Sequence, residues 1–274
     1  MPVKPKIDLR ALEANALKVV NKSKYKKVTK RVVSKTLSNM DKIKTQYARS
    51  LAVEIGKYRR QEITYTKFLN NVKYVMSSSY EKAYLLGKGG KLTATDRVWL
   101  KFEVRDELFY WKRFMAVIKK FFFKADDSGA ELPTDLPSML RRELKNIKWH
   151  HYRRFNMYVD ALDAVYTQAK VTSLPDHVMI NWVYGEAEHC PECIYLEKMS
   201  PYVKETLPTV PRAGKTRCLT HCKCVLVYSK IDERQYHILK DYSSRRTTHV
   251  KRLMKTRSLS PAQASKHIKL KYKP

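Results

Sequence analysis

Five cysteines fall within one stretch of the chain, at Cys190, Cys193, Cys218, Cys222 and Cys224, and no other part of the sequence contains one. Chance placement rarely gathers thiols in this way. The first pair, in "HCPECIYLEKMS", has the Cys-x2-Cys spacing whose turn presents two thiolates on one side, fit for two corners of a tetrahedron. The second group, "CLTHCKC", offers three more thiols with His221 among them. If the end of that group is a strand, alternation points Cys222 and Cys224 to one face. Four soft ligands so spaced suit a structural Zn²⁺ held by Cys190, Cys193, Cys218 and Cys222, with Cys224 or His221 as the alternate ligand.

Other chemistry for the same residues fits less well. A redox pair needs a strand before it and a helix opening at its first cysteine, and it leaves the second group without a role. An odd number of thiols, with no exported-type apolar segment in "MPVKPKIDLRALEANAL", argues against a disulfide framework. A catalytic zinc needs an open coordination position and a base. Glu188 and Glu192 are near in sequence, but all-sulfur sites are usually closed. No phosphate-binding loop and no dinucleotide glycine fingerprint is present, so the chain reads as a non-enzyme. A zinc-bearing nuclease of the His-Asn-His type remains the alternative. It would need a histidine base beside the metal, whereas His150 and His151 fall in a helical pattern, with His151 on its apolar stripe as a core histidine.

The elements that must position these thiols are mostly helical. "EITYTKFLNNVKYVMSSSYEKAYLLGKGG" places Phe68, Val72, Val75, Met76, Ser79 and Ala83 on one face, with Thr64 or Thr66 to cap it and Gly87, Gly89 and Gly90 to stop it. "TATDRVWLKFEVRDELFYWKRFMAVIKKFFF" is a second helix, capped by Thr95, with Leu100, Val104, Trp111, Met115 and Ile118 on its main face. Trp99, Phe102, Phe109 and Phe114 decorate its other sides, so it is expected at the centre, packed by several neighbours. Ala125 to Ser138 reads as a loop. From a cap at Ser138 to a stop at Pro175, an apolar stripe from Leu140 to Ala169 predicts a helix of about 30 residues, roughly 45 Å long. Beyond Pro175, "HVMINWVY" and "CVLVYSK" read as strands on either side of the cysteines.

The expected architecture is therefore mainly α with a small α+β zinc-stapled module, the long helices being followed by a two- or three-stranded β element. The expected parts are a basic arm or surface helix at residues 1–50, a helical domain at 51–174, a cysteine-rich module at 175–230 and a basic tail at 231–274. Chain length permits such a division, and a hydrophobic share of 43% permits a real core. No run of 18 or more apolar residues is present to span a membrane.

The charge is unusual. Fifty-six Lys and Arg against 26 Asp and Glu give a formal +30, which repels itself and favours a polyanion. The residues expected to meet phosphates lie near the two ends: Lys22, Lys24, Lys26, Lys27, Lys30 and Arg31, then Arg245, Arg246, Lys251, Arg252, Lys255 and Arg257. No base-reading motif accompanies them, so double-stranded DNA without sequence preference is the expected partner.

The stretch "NWVYGEAEHCPECIYLEKMSPYVKETLPTVPRAGKTRCLTHCKC" resembles the C-terminal cysteine module of tailed-phage minor head proteins, the Mu-type head morphogenesis family. The likeness rests on Trp182 in a strand, the Cys190-Pro-x-Cys193 turn, Leu207-Pro208 to Pro211, and the closing Cys218 to Cys224. The preceding segments, "GKYRRQEITYTKFLNNVKYVMSSSYEKAYLLGKGG" and "RRELKNIKWHHYRRFNMYVDALDAVY", come in a similar order, so the resemblance spans roughly residues 50 to 228. Relatives carry His-x2-Cys-Arg-Cys where this chain has Cys218-Leu-Thr-His221-Cys222-Lys-Cys224, which leaves the third ligand open. The resemblance implies a structural role near the portal or major capsid subunits of a virion, made in the host cytoplasm and in contact with packaged DNA.

Overall fold

The computed structural model describes residues 30–122, 149–185 and 188–256, with side chains for 39–117, 154–185 and 188–245. These fall into two compact units that divide between Ser173 and Leu174. The architecture is mostly helical, with one small antiparallel sheet and a cysteine cluster in the second unit.

The first unit contains four long helices, α1 (Lys30–Arg59), α2 (Tyr65–Lys88), α3 (Ala94–Phe122) and α4 (Trp149–Thr172). The expected arm boundary at residue 50 falls inside α1. Met40, Tyr47, Leu51 and Ile55 continue one buried face across that point, so the helical unit takes in the end of the basic segment as packed helix. α2 is the central helix and packs on α1, α3 and α4. Its predicted face is buried at Phe68, Val72, Met76, Ser79 and Ala83. The Thr64 hydroxyl accepts from Lys67 N, and Gly89 ends the helix in the left-handed conformation. Gly87 is a contact residue instead of a stop. A Cβ there would lie 2.3 Å from the Tyr166 carbonyl oxygen, so its missing side chain lets α4 approach α2.

α3 differs from expectation in two ways. Its cap is Thr93, not Thr95: Thr93 Oγ1 accepts from Asp96 N at 3.2 Å while Asp96 accepts from Thr93 N at 2.7 Å, a reciprocal capping box. It is also not the central helix. Leu100, Val104, Trp111, Phe114 and Met115 are buried, but Phe102 and Phe109 are exposed. Aromatic residues on two faces predict two packed faces, whereas among the described residues one face is buried. On α4 the stripe is buried at Phe155, Tyr158, Leu162, Val165 and Ala169. Its expected start, from the Ser138 cap to Leu140, Leu144 and Ile147, lies outside the described residues, as does the loop at 125–138.

Aromatic contacts and a few ion pairs tie these helices together. Trp111 meets Tyr158 edge-on at 4.8 Å and Phe155 at 6.1 Å, and Tyr58 stacks on Phe68 at 5.0 Å. Lys44 Nζ spans from α1 to Asp160 at 2.7 Å and Asp163 at 2.9 Å on α4. Asp96 accepts from Tyr84 at 2.6 Å and pairs with Lys88, joining α2 to the start of α3.

The second unit contains β1 (Val178–Val183), a short α5 (Pro191–Lys198), β2 (Val225–Lys230) and α6 (Glu233–Thr256). β1 and β2 pair antiparallel from Val178↔Lys230 to Val183↔Val225. Tyr202 adds an isolated bridge to Ile180 in place of a third strand. The expected tail at 231–274 is corrected for its first part. Asp232 Oδ1 accepts from Gln235 N at 2.7 Å and Gln235 Oε1 from Asp232 N at 3.1 Å, which opens α6. Tyr236, Leu239 and Tyr242 of α6 then form a core with Met179 and Val203.

Two outcomes check this packing. Gly87→Ala should destabilise the helical unit by about 1–3 kcal/mol in chemical denaturation, because the α2–α4 approach must open. The partly buried Glu107 gives a pH test. Burial, and then the nearby Glu103, push its carboxyl up to about 8. It folds neutral and ionises readily when unfolded. Its contribution is therefore full below the ordinary carboxylate range and is lost as pH rises toward 8. Glu107→Gln should raise the melting temperature of the helices at pH 8 and leave it nearly unchanged at pH 4, as followed by circular dichroism.

Candidate metal centre

Three pieces of chain meet at the cysteines. α5 opens at Cys190, its N-cap, with Pro191 supplying a preset first-turn φ and Cys193 one turn in. Cys218 precedes a single 3₁₀ turn, Leu219–His221, that returns the chain so that Cys222 and Cys224 run into β2. The third piece is the segment after β1. A Cβ on Gly185 would lie 2.1 Å from the Lys223 carbonyl oxygen, so the absence of a side chain there allows the two strands' extensions to touch. Arg212 Nε donates to the Cys222 carbonyl at 2.8 Å and holds the second group from outside.

The sulfurs converge. Cys190 and Cys218 are 3.5 Å apart, as are Cys193 and Cys218, and Cys193 and Cys222. The sulfurs of Cys190, Cys193 and Cys218 all lie within 4.8 Å of one another, and so do those of Cys193, Cys222 and Cys224. Cys193 belongs to both sets. A tetrahedron with bonds of about 2.3 Å has edges of about 3.8 Å, close to these contacts. The cluster can hold a metal ion, and its donors are soft. All five thiols are free of disulfides.

Proton sharing within the cluster favours thiolates. Hydrogen bonds with Cys218 and Cys222 hold the proton on Cys193 and push its thiol far up. Accepting from Cys193 and then Cys218 pulls Cys222 down to about 7. Cys224 is lowered further by Cys193 and Cys222. The Trp182 N–H is buried and has no hydrogen-bond partner among the described residues. Trp182 was legible as a strand residue; its buried N–H was not.

The expected ligands fall into two sets that share Cys193: Cys190 and Cys218 on one side, Cys222 with the alternate Cys224 on the other. Cys222 and Cys224 precede β2, which starts at Val225 and not at Cys224. The sulfur sets do not include His221. The nearer histidine is His189, stacked on Tyr184 at 4.2 Å with Nδ1 3.7 Å from Cys224 Sγ. Glu192 has an oxygen 3.9 Å from Arg217, which puts an ion pair beside the thiols. A strand does precede the Cys-x2-Cys helix, as a redox pair would require. Here, however, Cys218 touches both thiols of that pair and Cys222 touches Cys193.

The charged residues expected at the two ends are less fully placed. Arg245 is exposed on α6. Lys30 and Arg31 lie in α1, and Arg246, Lys251, Arg252 and Lys255 in α6, without described side chains. Lys22, Lys24, Lys26, Lys27 and Arg257 fall outside the described residues. Among the described residues, no helix is long and apolar enough to cross a membrane.

Compared with protein-family models, curated proteins and solved structures, the chain matches none. The likeness to Mu-type head proteins therefore rests on the motifs quoted above.

The cluster predicts a thiol count. In the native chain the five cysteines should react slowly with a thiol reagent, and all five should react after a strong chelator is added. Cys193→Ser should give fast reaction of the remaining thiols without chelator. Five fast thiols in the untreated wild-type chain would contradict a metal centre.

Proposed function

We propose that this chain is a structural protein of a tailed-phage head or neck, whose cysteine module is stapled by one Zn²⁺ and whose basic ends meet packaged double-stranded DNA. The observation that carries the reading is the convergence of two cysteine groups on Cys193. It occurs inside the stretch that resembles the Mu-type module, behind long helices in the same order. Cys190, Cys193, Cys218 and Cys222 are the ligands on this reading. Cys224 sits beside them, with His189 near it. Closed sulfur coordination suits a metal that folds a module with a small core, because binding free energy is then folding free energy. Portal or major capsid subunits are the protein partners that the resemblance implies, and the virion is the place.

The charge supports the DNA contact. A formal +30 needs counter-charge, and packaged DNA supplies it without base-specific contacts. The nuclease alternative has one feature in its favour, His189 near the sulfurs. Its ring is stacked on Tyr184 and its Nδ1 is directed at Cys224, which makes it a poor free base.

The experiment is two-part. Purified particles should contain the chain, with about one zinc per copy by metal analysis. Duplex affinity should fall by roughly 10³-fold or more between 50 and 200 mM salt if at least six phosphates are met. Substituting Arg245, Arg246, Lys251 and Arg252 by Gln should flatten the log–log salt slope while keeping α6. Absence from particles, or a salt-insensitive affinity, would overturn the reading.

A further inference from the structure

The face of α3 opposite its core carries a second pattern. Val98, Phe102, Phe109 and Ala116 follow one line along the helix, and all are exposed. Phe102 is 50% and Phe109 57% exposed, high values for rings on an ordered helix. Each ring is paired with a guanidinium. Arg105 lies over the Phe102 ring at 4.8 Å from its centroid, and Arg113 over Phe109 at 5.8 Å. Exposed Lys101 and Lys112 flank the same line, and the carboxylate there, Asp106, is already paired with Arg105 at 3.2 Å. The surface is thus flat, apolar and cationic together.

We propose that this stripe is a binding surface for single-stranded nucleic acid. The argument is complementarity of two kinds. The surplus cations call for an anionic partner, and the open ring faces call for a flat apolar one. Unpaired nucleic acid combines both, since its bases stack on aromatic and guanidinium planes while its phosphates meet Lys and Arg. A duplex offers the phosphates but keeps its base faces hidden. A second copy of the chain fits poorly, because pairing this face with itself would set Arg105, Arg113, Lys101 and Lys112 against their own kind. Phe102 and Phe109 are about 10 Å apart along the helix, at 1.5 Å per residue, a span that an extended strand covers in a few nucleotides. The inference is independent of the duplex contacts assigned to the basic ends.

The test uses the full chain and a fluorescent oligothymidylate of about 20 nucleotides, with a duplex of equal length beside it. Phe102→Leu/Phe109→Leu keeps apolar bulk on an exposed face and removes only the stacking planes. It should weaken oligothymidylate binding by about 10-fold or more, at 1–3 kcal/mol per stacked base, and leave duplex binding and helix content unchanged. Quenching of the protein's tryptophan fluorescence by a bromo-substituted oligothymidylate should be reduced in parallel. Unchanged single-strand affinity in the variant overturns the proposal, as does an equal loss for both nucleic acids. An oligomer that becomes monomeric in the variant, with single-strand affinity retained, assigns the stripe to a second copy. Hydrogen-exchange protection of α3 in the free chain that oligothymidylate does not increase assigns it to another part of this chain. A wild-type chain that binds duplex but not oligothymidylate overturns this proposal alone.

Discussion

The meeting of sulfur atoms at Cys193 is the constraint on which the second unit depends. One thiol from the start of α5 touches Cys218 and Cys222 from a segment far along the chain. The described residues of the unit also bury Met179, Ile180, Trp182, Leu196, Tyr202 and Val203, with Tyr236, Leu239 and Tyr242 of α6. The sulfurs tie the cysteine-bearing loops of the unit to one another. The other devices in the unit serve the same meeting point. Gly185 lets the Lys223 backbone pass close, and Arg212 grips the Cys222 carbonyl.

The helical unit is held by different means. Its central helix α2 buries Phe68, Val72, Met76 and Tyr80, and aromatic rings from the other three helices fill the remaining space. Polar ties are few and sit where helices start or cross, as with Thr93–Asp96 and Lys44 with its two aspartates. The cost of this economy appears at Glu107, whose carboxyl end is buried beside Glu103 and stays protonated near neutrality.

Helical periodicity made most of the fold legible, because a stripe such as Phe155, Tyr158, Leu162, Val165 and Ala169 has one physical reading. Two kinds of signal misled. Charge density sets the first part apart at residue 50, although Met40 already begins the buried face of α1. Lysines can decorate a packed helix as easily as a free one. The same bias turned residues after 231 into a tail, while the Asp232–Gln235 box and the Tyr236, Leu239 and Tyr242 positions carried the contrary signal. On α3, aromatic residues on two faces were read as two buried faces, and composition cannot tell burial from a surface kept for a partner. For the cluster, spacing identified the cysteines but not the convergence of all five, since that depends on how the 3₁₀ turn redirects the chain between Cys218 and Cys222.

The pairing of β1 with β2 has a consequence for how fast this unit forms. Val183 and Val225 are partners across a long excursion of chain. Closing a flexible loop of about 40 residues costs on the order of 3 kcal/mol of chain entropy before any ladder bond is made. Once Cys193 is joined to Cys222, the remaining gap is only the short links 184–192 and 223–224, and the strands are delivered to each other nearly in register. The sulfur clamp then acts as a topological shortcut, turning a slow non-local pairing into a nearly local one. With a metal ion in the cluster, assembly of the module would be paced by the capture of that ion, and only then by the search of its strands.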